Sequence, residues 1–199
     1  MHRHRIAAFL SGCLIVGSLF MIFVATQNFQ TVDRVLATPA PEASEMFQTL
    51  GPDNSRLLLR YLAGEENRLF FVSWELAQIA LGVLLTAILL SGMRSGLPAG
   101  RNRLLAGLAG GMVIVALFQH FRVTPEMIAL GREIEFGAGA GSPAYTQFWR
   151  LHGLYGVLEV AKLALVMVVA AFLLLGKRKG ALAGDDSRSE HRVSAGLHR

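Results

Sequence analysis

Four apolar runs divide this chain. The first, IAAFLSGCLIVGSLFMIFVAT, follows the basic flank MHRHR, and the other three start near Leu69, Leu104 and Trp149. A helix needs about 20 apolar residues to cross a hydrocarbon layer of roughly 30 Å. The pattern therefore predicts spans at 6–27, 69–91, 104–121 and 149–176. The last run continues through LALVMVVAAFLLL, apolar on every side, which a surface helix of a soluble protein does not tolerate. The expected fold is all-α: a polytopic membrane four-helix bundle, with short helices in its two outer segments.

Those outer segments are 31–68 and 122–148. In the first, Pro39 and Pro41 mark a turn, EASEMFQTL forms a short helix, and Gly51-Pro52 closes it. Asp53 is placed to cap NSRLLLRYLA, whose Leu57, Leu58, Tyr61 and Leu62 form a stripe suited to lying on the membrane face. In the second, Thr124-Pro125 reads as a cap and first position for PEMIALGREIEF. A glycine run, GAGAG, then separates it from Ser142-Pro143, which opens the last span. The polar tail 177–199 is expected to be disordered.

Arginine and lysine orient the spans. Arg3 and Arg5, then Arg94, Arg101 and Arg103, then Lys177, Arg178 and Lys179 fall on one side of a four-span protein. The positive-inside rule makes that side the cytoplasm, so both termini are expected there, in a multi-pass protein of the cell inner membrane. The first run is longer than a signal-peptide core, and Phe23 stands where a small residue is needed for cleavage, so it is expected to stay as the first span.

Composition supports this picture and narrows it. Of 199 residues, 53% are hydrophobic and 17% charged, and the mean hydropathy is +0.46, as expected of one compact bundle in lipid. The lone Cys13 cannot form an intrachain disulfide. A net charge of +5 does not indicate nucleic acid, because the basic residues sit at the ends of apolar runs. The expected partner is the bilayer, together with further copies of the chain or a larger membrane complex.

Candidate chemistry concentrates in FWRLHGLYGVLEVAK. His152, Tyr155, Glu159 and Lys162 are spaced by three, four and three residues and share one helix face. A charge inside the membrane costs roughly 2.5–3.5 kcal/mol on insertion scales, so partners are needed. Glu75 and Gln78 lie at a matching depth in the second span, with Asn28 and His120 near the same outer end. These eight residues predict an outward-facing polar pocket for a small solute, proton or ion. Glu159 and Lys162 can also pair within their own helix, which gives a second reading, an accessory subunit whose charges only lock the bundle. A third is a metal or haem protein using His120 and His152 with Glu75, although no cofactor is expected from the motifs. Arg56, Arg60, Glu66, Arg68 and Arg132 form a candidate outer rim. The chain has no GxSxG, phosphate loop, CxxC or HExxH, which points away from an enzyme.

Several segments together resemble a known family. VATQNF leaves the first span, ENRLFFVSWE enters the second, RVTPEMIALGREIE forms the outer helix, and FWRLHGLYGVLE opens the last. This arrangement is similar to small four-span bacterial membrane proteins with a transmembrane-protein-205-like domain. Pro125, Arg132, Phe148, Leu151 and His152 carry the resemblance, which extends from Ile6 to Gly176. It implies four spans and an activity not yet defined. The helical insertion between spans one and two, and Lys162 in the fourth, depart from the pattern.

Overall fold

The computed structural model describes the backbone of residues 2–93, 99–136 and 141–196, and side chains up to residue 175 apart from those next to the omitted stretches. Six α-helices follow one another: α1 (His2–Ala37), α2 (Pro41–Leu50), α3 (Pro52–Met93), α4 (Ala99–Phe118), α5 (Thr124–Phe136) and α6 (Pro143–Gly196). A π-helical turn, Gln119–Val123, joins α4 to α5 without a break. There is no strand among the described residues, and four helices are long and apolar enough to cross a membrane. Residues 94–98 of the basic loop and 137–140 of the glycine run lie outside the described residues, while 99–103, expected in that loop, are the first turn of α4. The backbone of the tail, expected to be disordered over 177–199, is helical as far as Gly196, while its side chains lie outside the description.

The spans form a square. α1 packs on α3 and α6, and α4 packs on the same two helices, so neighbours in sequence are neighbours in space. One end of the square is largely apolar, with Ser11 and Asn102 as buried polar exceptions. Leu10 and Leu14 of α1, Leu85 and Leu89 of α3, Leu105 and Met112 of α4, and Val166, Val169 and Leu173 of α6 close into a single core there. Arg3 donates to the Ser91 carbonyl at 2.8 Å, joining the start of α1 to the end of α3. Outside the core, large apolar side chains such as Phe9, Phe20, Phe23, Leu84, Ile114, Phe121, Val160 and Phe172 are exposed on all four spans. A protein in water would expose polar groups at these positions; a bilayer requires apolar ones.

Glycine sets one helix contact sharply. A Cβ on Gly17 would lie 2.0 Å from the Trp74 ring, whereas one on Gly12 would meet nothing within 4 Å. Gly17→Ala is therefore expected to cost about 1–3 kcal/mol through overpacking of α1 on α3. Gly12→Ala is expected to be neutral or stabilising, and thermal denaturation of the two variants in detergent checks the contrast.

Short helices stand in both outer segments, α2 in the first and α5 in the second, but the stretch between α2 and the second span does not form one of its own. α3 has 42 residues, which makes it about 63 Å long at 1.5 Å per residue. That is roughly twice the hydrocarbon thickness. NSRLLLRYLA is the first part of this helix rather than a separate element, and α1 likewise continues to Ala37. The two extensions remain paired: Arg56 bonds Asp33 at 2.9 Å, and the Arg60 guanidinium lies 5.8 Å from the Phe29 ring centre. Asp53 stands in the first turn of α3 and is not its cap, because Pro52 already starts the helix. The turn into it uses Gly51, whose φ of 80° favours a residue without Cβ, and Ser55 donates back to the Gly51 carbonyl. α2 occupies the span predicted for it, closing on Gly51.

Thr124 also departs from its expected role. It does not cap a new helix. The chain continues from α4 through the π turn, where the Thr124 N–H bonds Gln119 O five residues back. Pro125 has no N–H to give to the preceding turn, and the widened turn absorbs that missing bond. Ser142 does cap, since its Oγ accepts from the Tyr145 N–H at 3.1 Å.

Candidate functional site

The end of the square opposite the apolar core is polar inside. Glu75 is 0% exposed, and Gln78, Gln119, Thr124 and Lys162 are also buried. They divide into two clusters. In the first, the Thr124 hydroxyl donates to Glu75 Oε1, and His120 Nδ1 lies 3.0 Å from Glu75 Oε2. The π turn carries both partners to the same carboxylate.

In the second cluster, Lys162 Nζ donates to Glu159 Oε1 at 2.7 Å and to Gln78 Oε1 at 2.5 Å. Gln78 Nε2 in turn donates to Glu159 Oε2 at 3.2 Å and to Ser18 Oγ at 3.3 Å. α3 and α6 face each other across the diagonal of the square, so only long side chains bridge them. Lys162 thus pairs within its own helix and reaches across to an amide, not to Glu75. The two carboxylates are held apart, each with its own donors. Tyr155 lies between them, 5% exposed, near both Glu75 and Glu159. Its hydroxyl lacks a hydrogen-bond partner of good geometry, as does the buried Gln119 Oε1, while Gln119 Nε2 donates to the Tyr155 carbonyl.

A cavity of about 300 Å³ opens beside the second cluster. Ser18, Ile22 and Thr26 of α1 form one wall and Gly156, Glu159 and Val160 of α6 the other. Phe71 and Trp74 of α3 close the back, with His152 and Tyr155 above. Glu159 is 18% exposed in its side chain, against 2% for Lys162, so the cavity meets the carboxylate and not the ammonium.

Of the predicted pocket residues, Gln78, Tyr155, Glu159 and Lys162 belong to one assembly, and His152 lines its cavity. Glu75 and His120 form the neighbouring cluster. Asn28 does not join either. It donates to Asn67 at 2.6 Å, and Asn67 reaches back to the Ala25 carbonyl, so the two asparagines clasp α1 to α3. Ser18 and Thr124 were not predicted as site residues. A hydroxyl in an apolar run carries little signal unless its neighbour across the bundle is known.

Only His120, and not His152, is brought to Glu75. His152 stacks on Phe148, with Trp149 at its edge, while His120 bonds the carboxylate. Among the described residues no group of three or more His, Cys, Asp or Glu side chains could hold a metal ion. Two ligands at most would be offered by His120 and Glu75, fewer than a protein-held transition metal normally takes.

At the rim, outside the apolar body of α3, Glu65 is the centre. Arg132 bonds both its oxygens, at 2.8 and 2.9 Å, and Arg68 adds a third contact at 2.6 Å. The bond from Arg132, with Arg68 beside it, holds the Glu65 carboxyl at about 2 instead of 4.5. A lowered folded value stabilises the fold above pH 4.5, and the contribution disappears as pH falls through 2. The coupling between Glu65 and Arg132, measured by a double-mutant cycle, is therefore expected to be constant from pH 7 to 5 and to vanish near pH 2. Glu66, predicted for the same rim, is exposed.

The fold and site define a class: an all-α bundle of four membrane-length helices, with one half of its interior largely apolar and the other polar. Comparison with known protein families, curated proteins and solved structures finds no match to the chain.

Proposed function

We propose that the chain is a multi-pass protein of the inner membrane, with both termini in the cytoplasm, whose outward half forms a pocket for a small solute. The observation that carries this reading is the cavity ending on Glu159, inside the polar half of the bundle. Enclosed space beside a buried ionised cluster is costly to maintain and is a common form of binding site. The orientation rests on the basic residues at the apolar end, Arg3, Arg5, Arg101 and Arg103. The motifs of the transmembrane-protein-205-like proteins fit the same four-span arrangement.

Passage straight through one copy is not part of this reading. Leu10, Leu14, Leu85, Leu89 and Leu105 fill the other half of the bundle, so whatever enters must leave on the side it came from. Translocation would need a second copy or a partner. Thermal-shift screening of small solutes against the purified protein and its Glu159→Gln variant tests the pocket. A native-specific shift supports it, and no shift for any solute counts against it. A reporter fused after Arg199 that works only outside the cytoplasm would refute the orientation.

The accessory-subunit reading has one observation in its favour, since Lys162, Glu159 and Gln78 satisfy one another without a ligand. It requires that a Glu159→Leu, Lys162→Met double variant keep full function in cells.

A further inference from the structure

The cavity narrows the chemistry of its occupant, and this inference rests on the pocket reading above. Its mouth lies between α1 and α6, where Ile22 is 58% exposed and Val160 66% exposed. Met21 of α1 and Leu163 of α6 add further apolar lining. An entrance rimmed by apolar side chains in two membrane-length helices faces lipid, so the occupant arrives from the bilayer. The volume holds on the order of ten water-sized groups, enough for a head and a few methylenes, with the rest of the molecule lying between Ile22 and Val160.

Charge selects the head. The only carboxylate among the residues lining the cavity is Glu159, and Lys162 already neutralises it at 2.7 Å from behind. A second cation would be repelled by Lys162, and an anion would meet the Glu159 oxygens first. Each carboxylate oxygen accepts one bond from Lys162 or Gln78 and retains acceptor capacity. A neutral hydrogen-bond donor meets that capacity without adding charge. Phe71, Trp74 and Tyr155 supply apolar and aromatic surface for the body beside it. We infer that the cavity takes a neutral, lipid-soluble hydroxyl compound from the membrane, its hydroxyl donating to Glu159 and its body lying against Phe71 and Trp74.

The chain has two tryptophans, so Trp149→Phe leaves Trp74, in the cavity wall, as the sole fluorophore. Bromine quenches a tryptophan it touches. Four probes of one bromoalkyl chain would be compared in liposomes: an alcohol, a carboxylic acid, an amine and the headless bromoalkane. The alcohol is expected to quench Trp74 saturably, at least about fivefold more tightly than the other three at equal membrane concentration, a difference of about 1 kcal/mol. Glu159→Gln is expected to reduce that preference. Gly156→Leu is expected to abolish saturable quenching with no loss of thermal stability, because Gly156 lines the mouth and a Cβ there meets nothing within 4 Å. Equal saturable quenching by all four probes overturns the hydroxyl assignment and leaves the pocket standing. A preference for the acid or amine overturns it too. Quenching that never saturates, and that Gly156→Leu does not change, removes both the hydroxyl assignment and the pocket.

Discussion

Lys162→Met alone is expected to destabilise the bundle by about 3–5 kcal/mol, the usual cost of stranding one charge of a buried pair. Lys162 is 2% exposed, and its ammonium makes bonds to both Glu159 and Gln78. Methionine fills much the same space but supplies no donor, so Glu159 Oε1 loses its counter-charge and Gln78 Oε1 loses the ammonium that donates to it. Adding Glu159→Leu is expected to recover most of that loss. The two charges then disappear together, and Gln78 Nε2 still reaches Ser18 Oγ. Equilibrium unfolding in detergent or bicelles measures both variants. A single variant as stable as the native chain would mean that the pair contributes nothing, which the short geometry contradicts.

Glu75→Leu is the second large effect expected. Glu75 is fully buried and takes the Thr124 hydroxyl on one oxygen and faces His120 Nδ1 with the other. Leucine removes both, leaving a buried hydroxyl and an imidazole nitrogen without partners, at about 1–3 kcal/mol each. The sum is about 2–5 kcal/mol, because neighbouring losses do not add fully. Glu75→Gln is expected to cost less than about 1.5 kcal/mol. Its amide oxygen accepts from Thr124 and its amide nitrogen donates to the ring once His120 takes the other tautomer. Unfolding measurements on the pair decide this. If Gln and Leu proved equally damaging, the charge of Glu75 would matter and not its hydrogen bonds.

Much of the fold is visible in the residue pattern because lipid imposes a simple rule. An apolar run of membrane length must be a helix, since backbone groups in hydrocarbon can only be paired within it. The four spans, α2 and the Ser142 cap all follow from local signals of this kind. Helix continuity does not. Asp53 and Thr124 look like caps, yet α3 runs through from Pro52 and the π turn carries α4 into α5. A cap residue raises the odds of a helix start without compelling one, and packing between α1 and α3, or a bond to Glu75, outweighs it. The same limit applies to Asn28, whose depth matched the pocket but whose partner is Asn67.

The sequence by itself determined that His152, Tyr155, Glu159 and Lys162 share a face, because helical spacing is local and fixed. It also determined that Glu75 and Gln78 lie at the same level of the bundle, since depth follows from counting residues along a span. Which carboxylate takes Lys162 was decided only by the tertiary structure. Placing α3 and α6 on the diagonal lets Gln78, but not Glu75, come between them, while the π turn gives Glu75 to His120 and Thr124. Rotation of each helix about its own axis sets such pairings, and that rotation results from packing all four spans at once. The cavity beside Glu159 has the same origin, being the space that α1 and α6 leave unfilled.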